Sequence, residues 1–272
     1  MAHIGVLEHL DAKSIKPHLV TGTSMGALIG AWYCLNGSAG GLAERAMDLF
    51  ESDLFQKLDL DELIADQDGV RDSFEEFSRK TKALFTLAKM VRRMSLVDGE
   101  FMERVVRGLY GSASFSDLKI PFVAVATDLY SGEDVALNSG SLATAVQASA
   151  AIPGVFPPVA RDGMLLVDGY ITKNVPVPEP GSPPLRTDVI AVDVQRGLES
   201  HGPWENGIEV VSRAEWIMQI QLNRWYLEQA DLVLVPNVRD VHWADFGRTE
   251  QLIEAGREAA IEKEDEILRL FG

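Results

Sequence analysis

The pentapeptide Gly22-Thr23-Ser24-Met25-Gly26 constrains the fold of this chain more than any other stretch. The apolar residues before it predict the end of a buried strand, and the apolar run 27–35 after it predicts a buried helix. A G-x-S-x-G sequence between a strand and a helix is typical of a sharp turn that pushes a serine hydroxyl out of the sheet. The helix would direct its free N–H groups toward an oxyanion formed beside Ser24. A glycine-rich turn with an incidental serine is the alternative.

Composition limits the classes of protein to which this chain can belong. Its 272 residues, 46% of them hydrophobic, suit one large α/β domain or two small ones. Strand patterns on both sides of the proline-rich stretch 176–187 favour a single domain over residues 1–272. A net charge of −16 argues against a nucleic-acid partner, which needs a basic face. Cys34 is the single cysteine, so no intramolecular disulfide forms and a reducing, cytoplasmic location is expected.

Strand patterns alternate with helix patterns along most of the chain. Such alternation predicts a mainly parallel sheet covered by helices. The predicted strands lie at 121–127, 135–137, 164–167, 188–194 and 231–235, and the predicted helices at 2–14, 141–150, 208–229 and 247–270, with 41–115 largely helical. The proline-rich segment 152–158 is expected to be a stiff apolar loop.

Residues 74–94 combine helical hydrophobic spacing with a basic face. This face would carry Arg79, Lys80, Lys82, Lys89, Arg92 and Arg93. A basic amphipathic helix can lie on a membrane surface, so peripheral membrane contact is one interpretation of this segment. A solvated surface helix is the alternative interpretation.

A serine hydroxyl needs a base before it becomes a good nucleophile. Asp168 follows a predicted strand and could accept the proton directly. The chain order also permits an Asp168 triad with His201 or His242, although neither histidine has a neighbourhood typical of a site. An aspartate that only caps a turn with Gly169 is a further alternative.

Four motifs in order resemble the patatin-like phospholipases, in particular the bacterial branch related to neuropathy target esterase. They are Gly22-Thr23-Ser24-Met25-Gly26, Asp128-Leu129 with Ser131-Gly132-Glu133, Ala148-Ser149-Ala150-Ala151-Ile152-Pro153-Gly154-Val155-Phe156-Pro157-Pro158-Val159, and Asp168-Gly169-Tyr170. The resemblance continues into the final helix and covers nearly the whole chain.

The resemblance implies a three-layer α/β/α fold and hydrolysis of acyl esters by a Ser–Asp pair. Ser24 would be the nucleophile and Asp168 the general base, without histidine, metal or cofactor. The substrates implied are phospholipids, lysophospholipids or other fatty-acyl esters. Further roles would fall to Gly22, Met25 and Gly26 in the elbow and oxyanion site, to Gly169 beside Asp168, and to Ile152, Pro153, Val155 and Phe156 around the acyl chain.

One departure from the family concerns the N-terminus. The family has a glycine-rich loop, whose N–H groups form the oxyanion hole, immediately before the segment matching residues 2–7. Here the sequence starts at Met1, so we expect the loop and the first strand to be missing. Either the true start lies upstream, or the chain is a catalytically impaired lipid-binding or regulatory domain on the same fold.

Overall fold

The structure, a computed structural model, describes residues 1–52, 94–178, 188–195, 197, 198, 204, 206–238, 241 and 246–271. The predicted basic helix lies outside these residues apart from Met94, and so do His201 and His242.

Helices and strands alternate through the described residues, as the sequence patterns predict. The helices are α1 (Ala2–Ala12), α2 (Met25–Asn36), α3 (Leu42–Glu51), α4 (Gly99–Tyr110), α5 (Leu142–Ser149), α6 (Tyr170–Lys173), α7 (Gly207–Leu227), α8 (Thr249–Glu262) and α9 (Glu264–Phe271). The strands are β1 (Val20–Thr23), β2 (Phe122–Asp128), β3 (Asp134–Leu137), β4 (Val159–Arg161), β5 (Met164–Asp168), β6 (Ile190–Val192) and β7 (Leu232–Leu234).

The predicted helix at 247–270 is divided in two. Lys263, at φ −104° and ψ 14°, leaves the helical conformation between α8 and α9. The next three residues, Glu264, Asp265 and Glu266, are all acidic. Negative side chains in a first turn favour a new helix N-terminus, which accounts for a second helix here.

The α/β fold class is confirmed, but the sheet is mixed rather than mainly parallel. β1 pairs with β2 in parallel within a five-stranded sheet, and β6 pairs with β7 in parallel in a separate two-stranded sheet. β3 and β5 both run antiparallel to β2, and β4 runs antiparallel to β5. One reason is the chain reversal between β2 and β3, and another is a hairpin between β4 and β5, in which Asp162 and Gly163 both have positive φ. An Asp-Gly pair favours this tight two-residue turn and so reverses the chain.

The pairing along β2 places the ends of β1 and β5 face to face. β1 pairs with Phe122–Val125 and β5 with Ala126–Asp128. β3 pairs with Ala124–Thr127, which overlaps both sets. Because a strand has only two edges, β3 occupies one edge of β2, and β1 and β5 share the other. β1 and β5 run in opposite directions, so their carboxyl ends meet at this edge.

The core lies between β2 and the helices that cover it. Its fully buried residues include Ala27, Ala124 and Val146, which come from α2, β2 and α5. A second cluster joins α1 to β7 and α8. Within the part of the chain described above, no helix has the length and apolar content needed to cross a membrane.

Candidate active site

The backbone at Ser24 has the strained geometry that the pentapeptide predicts. Ser24 has φ 54° and ψ −120° and caps the N-terminus of α2. A residue other than glycine in such a region costs on the order of 1–3 kcal/mol unless its surroundings hold it there. Gly22 makes the turn possible, because a Cβ on Gly22 would lie 2.5 Å from the carbonyl oxygen of Gly26.

Ser149 holds the strained residue in place. The Ser24 N–H lies 3.1 Å from both the carbonyl oxygen and the Oγ of Ser149. The Ser149 hydroxyl in turn donates to the carbonyl oxygen of Val125 at 2.6 Å. Ser149 is fully buried, so these contacts are shielded from water. Its role was not foreseen from the sequence, where the only signal was its place in the small-residue run 148–151.

Asp168 ends β5 at the position where β5 meets β1. It pairs with Ala126, while Thr23, the residue before Ser24, pairs with the adjacent Val125. Gly169 permits this close approach, because a Cβ there would collide with the carbonyl group of Val125. The structure therefore brings Ser24 and Asp168 together, and the two carboxyl ends meet head-on rather than side by side as in a parallel sheet.

The Asp168 carboxyl group is fully buried, and its two oxygens differ. Oδ1 accepts the Tyr170 N–H at 2.9 Å. Oδ2 has no hydrogen-bond partner of normal geometry among the described residues. Burial raises the pKa of Asp168 to about 7, against the smaller lowering effects of the Ser24 side chain and the Tyr170 N–H. A buried carboxyl beside a serine side chain, with a pKa near neutrality, can exchange a proton with the serine hydroxyl.

The first turn of α2 supplies N–H groups beside Ser24. The N–H groups of Ala27 and Leu28 both donate to the Ser24 carbonyl oxygen. Met25 and Gly26 come before them, so their N–H groups have no acceptor within the helix. These two donors and the positive end of the helix dipole can stabilise negative charge near the Ser24 hydroxyl.

The side chain of His3 lies close to this turn. Its Nε2 is 3.7 Å from the position that a Cβ on Gly26 would occupy. Burial, together with the nearby N-terminal ammonium group, lowers the pKa of His3 to about 3. The imidazole is therefore neutral at physiological pH and contributes no positive charge to the elbow.

The proline-rich loop lies against both Asp168 and the core. The Asp168 N–H donates to the carbonyl oxygen of Ala151, the residue before Ile152. Phe156 is buried and stacks on Phe101, with 6.1 Å between the ring centroids. Ile152 and Val155 are partly buried against the same core, whereas Pro153 is exposed. Within the described ranges, no three His, Cys, Asp or Glu side chains converge to form a metal site.

Comparisons with known proteins agree with the motifs and the fold. A family model described as patatin-like phospholipase matches residues 1–180. Patatin-like phospholipase domain-containing protein 6 of Homo sapiens is 28% identical over 246 residues, covering 88% of this chain and 15% of that protein. An uncharacterized NTE family protein of Mycobacterium tuberculosis is 31% identical over 176 residues, covering 65% of this chain and 41% of that protein. The chain thus spans less than half the length of either relative.

A solved structure also aligns with most of the chain. The crystal structure of VipD from Legionella pneumophila superposes with a TM-score of 0.49 and 13% sequence identity, covering 97% of this chain and 64% of that one.

Proposed function

Since the chain belongs to the patatin-like phospholipase family, a family of lipid acyl hydrolases, we propose that it hydrolyses the acyl esters of phospholipids or other fatty-acyl lipids. Ser24 is the proposed nucleophile and Asp168 the proposed general base. The observation that supports these roles is the convergence of the strained Ser24 and the buried Asp168 at one edge of β2.

The proposed reaction has two halves. In the first, Ser24 Oγ bonds to the ester carbonyl carbon while Asp168 Oδ2 takes the hydroxyl proton. The leaving alcohol receives that proton as the carbon–oxygen bond breaks, which leaves an acyl-serine. In the second, Asp168 takes a proton from water, whose oxygen attacks the acyl group. The fatty acid leaves, and the proton returns to Ser24.

The negative oxygen formed in each half needs hydrogen-bond donors. The N–H groups of Met25 and Gly26 are the donors we propose from the described residues. Loss of one such donor typically slows an enzyme about 10²–10³-fold, so their placement beside Ser24 matters for the rate.

We propose that the proline-rich loop forms part of the acyl-chain site. Ile152 and Val155 are partly buried next to the backbone contact between Ala151 and Asp168. Phe156 anchors the loop in the core, and Pro153 keeps it stiff. An apolar wall at this place suits a fatty-acyl chain better than a small polar group.

Hydrolysis of p-nitrophenyl esters of increasing chain length tests the proposed activity. Ser24→Ala should abolish turnover, and Ser116→Ala, a matched change at an exposed serine, should leave it intact. The chain length with the highest turnover would report the size of the acyl site. Equal turnover by the folded Ser24→Ala protein and by its parent would contradict the proposal. A folded parent without activity would instead favour a lipid-binding or regulatory role.

A second variant separates the Ser–Asp mechanism from a histidine triad. Changing both His201 and His242 to alanine should leave turnover undiminished if Asp168 is the base. A loss of turnover in that folded double variant would favour the triad.

Two further proposals concern where the protein acts. We propose peripheral membrane contact through residues 74–94, which salt and neutralisation of Arg92 and Arg93 should weaken in liposome co-sedimentation. Binding that is unaffected by both changes would count against it.

Cys34 is buried, and the absence of other cysteines supports a reducing, cytoplasmic location.

A further inference from the structure

An ordinary surface helix buries its apolar stripe and exposes its polar one. The long helix α7 differs, because it buries two polar side chains beside Tyr226 and exposes a row of apolar ones. Gln219 and Asn223 on its inner side are only 7% and 2% exposed. Val211, Met218 and Trp225 on its outer side are 68%, 64% and 56% exposed. Their spacing of seven residues places them on one line along the helix. We define the outer face of α7 as this line together with the exposed residues Val210 and Ile217.

Hydrogen bonds fix α7 in this orientation. The Asn223 amide group donates to Asp193 Oδ1 at 3.2 Å and to Gln195 Oε1 at 2.9 Å. The Gln219 amide group donates to the carbonyl oxygen of Ile171 at 3.1 Å. Rotating α7 to hide its apolar residues would break these buried contacts, each of which is costly to leave unmade. The outward direction of the apolar face is therefore built into the fold.

Helix α7 is also linked to the candidate active site. Tyr170, whose N–H contacts Asp168, donates its hydroxyl to Glu215 Oε1 on α7 at 3.1 Å. Ile171, whose carbonyl accepts from Gln219, lies on the same short helix as Tyr170. The short helix α6 therefore contacts both α7 and the Asp168 carboxylate. These contacts link the helix that carries the outer face to the Asp168 end of the candidate active site.

The face is too small for a stable contact with a second copy of the chain. At about 1.5 Å of rise per residue, 211–225 span about 21 Å, and a strip about 10 Å wide covers about 200 Å². A stable interface buries about 800 Å² on each partner. Two copies that each carry a net charge of −16 would also repel one another.

The chemistry of the face suits the interface of a lipid bilayer. Trp225 lies at one end of it, and the exposed Trp204, held over Arg213, lies near the other. Tryptophan favours the boundary between lipid headgroups and acyl chains, since its ring is apolar and its N–H is polar. α7 carries two acidic residues, Glu209 and Glu215, and two basic ones, Arg213 and Arg224, so its formal net charge is zero in an otherwise acidic protein.

We propose that the outer face of α7 is the surface by which this protein docks on a zwitterionic phospholipid bilayer. Its physiological purpose rests on the proposed hydrolysis of lipid esters, because docking would present membrane lipids to the active site. Binding through a neutral apolar face needs no anionic lipid and is insensitive to salt. This distinguishes it from binding through the basic segment 74–94.

Vesicle flotation tests the docking without depending on catalysis. The Ser24→Ala protein is mixed with phosphatidylcholine vesicles at low and high salt, and the floating fraction is measured. Adding Met218→Glu should reduce the partition coefficient about tenfold or more, because a charge replaces buried apolar area. Adding Ile261→Glu, at an equally exposed apolar residue of α8, should not change it. Thermal melts would show that each variant folds.

A fluorescent label on the face gives a second, independent measurement. In a Met218→Cys variant, the introduced thiol is exposed, whereas Cys34 is buried. An environment-sensitive dye at position 218 should shift to the blue only when vesicles are added. Full flotation of the Met218→Glu protein would overturn the proposal. So would a blue-shifted dye without vesicles, or a Met218-dependent dimer in light scattering, because the face would then be covered by protein.

Discussion

Ser24 meets two opposing requirements. Its hydroxyl group must be accessible to a substrate, yet its backbone adopts a positive-φ conformation that favours glycine. Its φ of 54° is imposed by the turn after β1, and the bonds from its N–H to Ser149 hold it there. The sequence predicted this turn because Gly22 and Gly26 flank the serine. It did not identify Ser149, which is 125 residues away and reaches Ser24 only through the fold.

The strain at Ser24 predicts a difference between two inactive variants. Ser24→Gly should be more stable than Ser24→Ala by about 1 kcal/mol. Glycine relieves about 1–3 kcal/mol of backbone strain in the folded state, but its greater freedom in the unfolded state offsets part of that gain. Urea unfolding of both proteins measures the difference. If the alanine variant were as stable as the glycine variant, the backbone would not be strained.

The raised pKa of Asp168 predicts how the rate depends on pH. A general base must be unprotonated, so kcat/KM should rise with pH to a half-maximum near pH 7 and level off above it. Asp168→Asn should remove the activity. Asp162→Asn, a matched change at an exposed carboxylate in the β4–β5 turn, should keep the same profile. A rate that stays constant from pH 8 down to about 5 would show that no base with this pKa acts.

The β4–β5 hairpin decides how the two site residues meet. An Asp-Gly pair such as Asp162-Gly163 is a hairpin signal, but our sequence analysis did not use it, and the alternation of strands and helices suggested a mainly parallel sheet. The reversal makes β5 approach β1 end to end along β2. Residues 164–167 were thus correctly predicted as a strand, but the direction of that strand depends on pairing that one local pattern cannot specify.

The packing of α1 against α8 depends on two glycines and gives an element-level prediction. A Cβ on Gly5 would collide with the backbone at Ile253, and a Cβ on Gly256 with the backbone at Ala2. Gly5→Ala or Gly256→Ala should lower the free energy of unfolding by about 3 kcal/mol or more, since backbone cannot move aside cheaply.

Gly108 in α4 is the matched control for this prediction. A Cβ there meets nothing within 4 Å, so Gly108→Ala should stabilise the protein by about 0.5–1 kcal/mol. Chemical denaturation of the three variants measures the changes. If Gly5→Ala and Gly256→Ala were tolerated as well as Gly108→Ala, the two helices would not pack this closely.

The two ends of the chain are joined in the folded molecule. Arg257 on α8 bonds to Glu8 on α1 at 2.6 Å, and Lys13 bonds to Glu264 at 2.8 Å. These contacts join α1 to the last two helices, while a single domain over residues 1–272 stays a prediction. The sequence did not show that α7 turns a row of apolar residues outward. The hydrophobic spacing along the helix does not reveal that Asn223 has buried polar partners.

A single domain should unfold in one cooperative step. Urea transitions followed by far-UV circular dichroism and by tryptophan fluorescence should coincide. Repeating the fluorescence measurement on single Trp→Phe variants shows whether the signal comes from one region of the protein only. Two separated transitions would indicate that the chain contains more than one folding unit.

Covalent labelling of Ser24 tests the proposed mechanism most directly. A fluorophosphonate reacts when a serine oxygen attacks phosphorus and fluoride leaves, and the serine proton must pass to a base. Intact-mass spectrometry and peptide mapping would follow the rate of labelling in the parent protein, Ser24→Ala, Asp168→Asn and the variant lacking both His201 and His242. We expect one label on Ser24, none in Ser24→Ala, strongly slowed labelling in Asp168→Asn, and an unchanged rate in the histidine variant. A label on another residue, or an Asp168→Asn protein that reacts as fast as its parent, would contradict the pairing of Ser24 with Asp168.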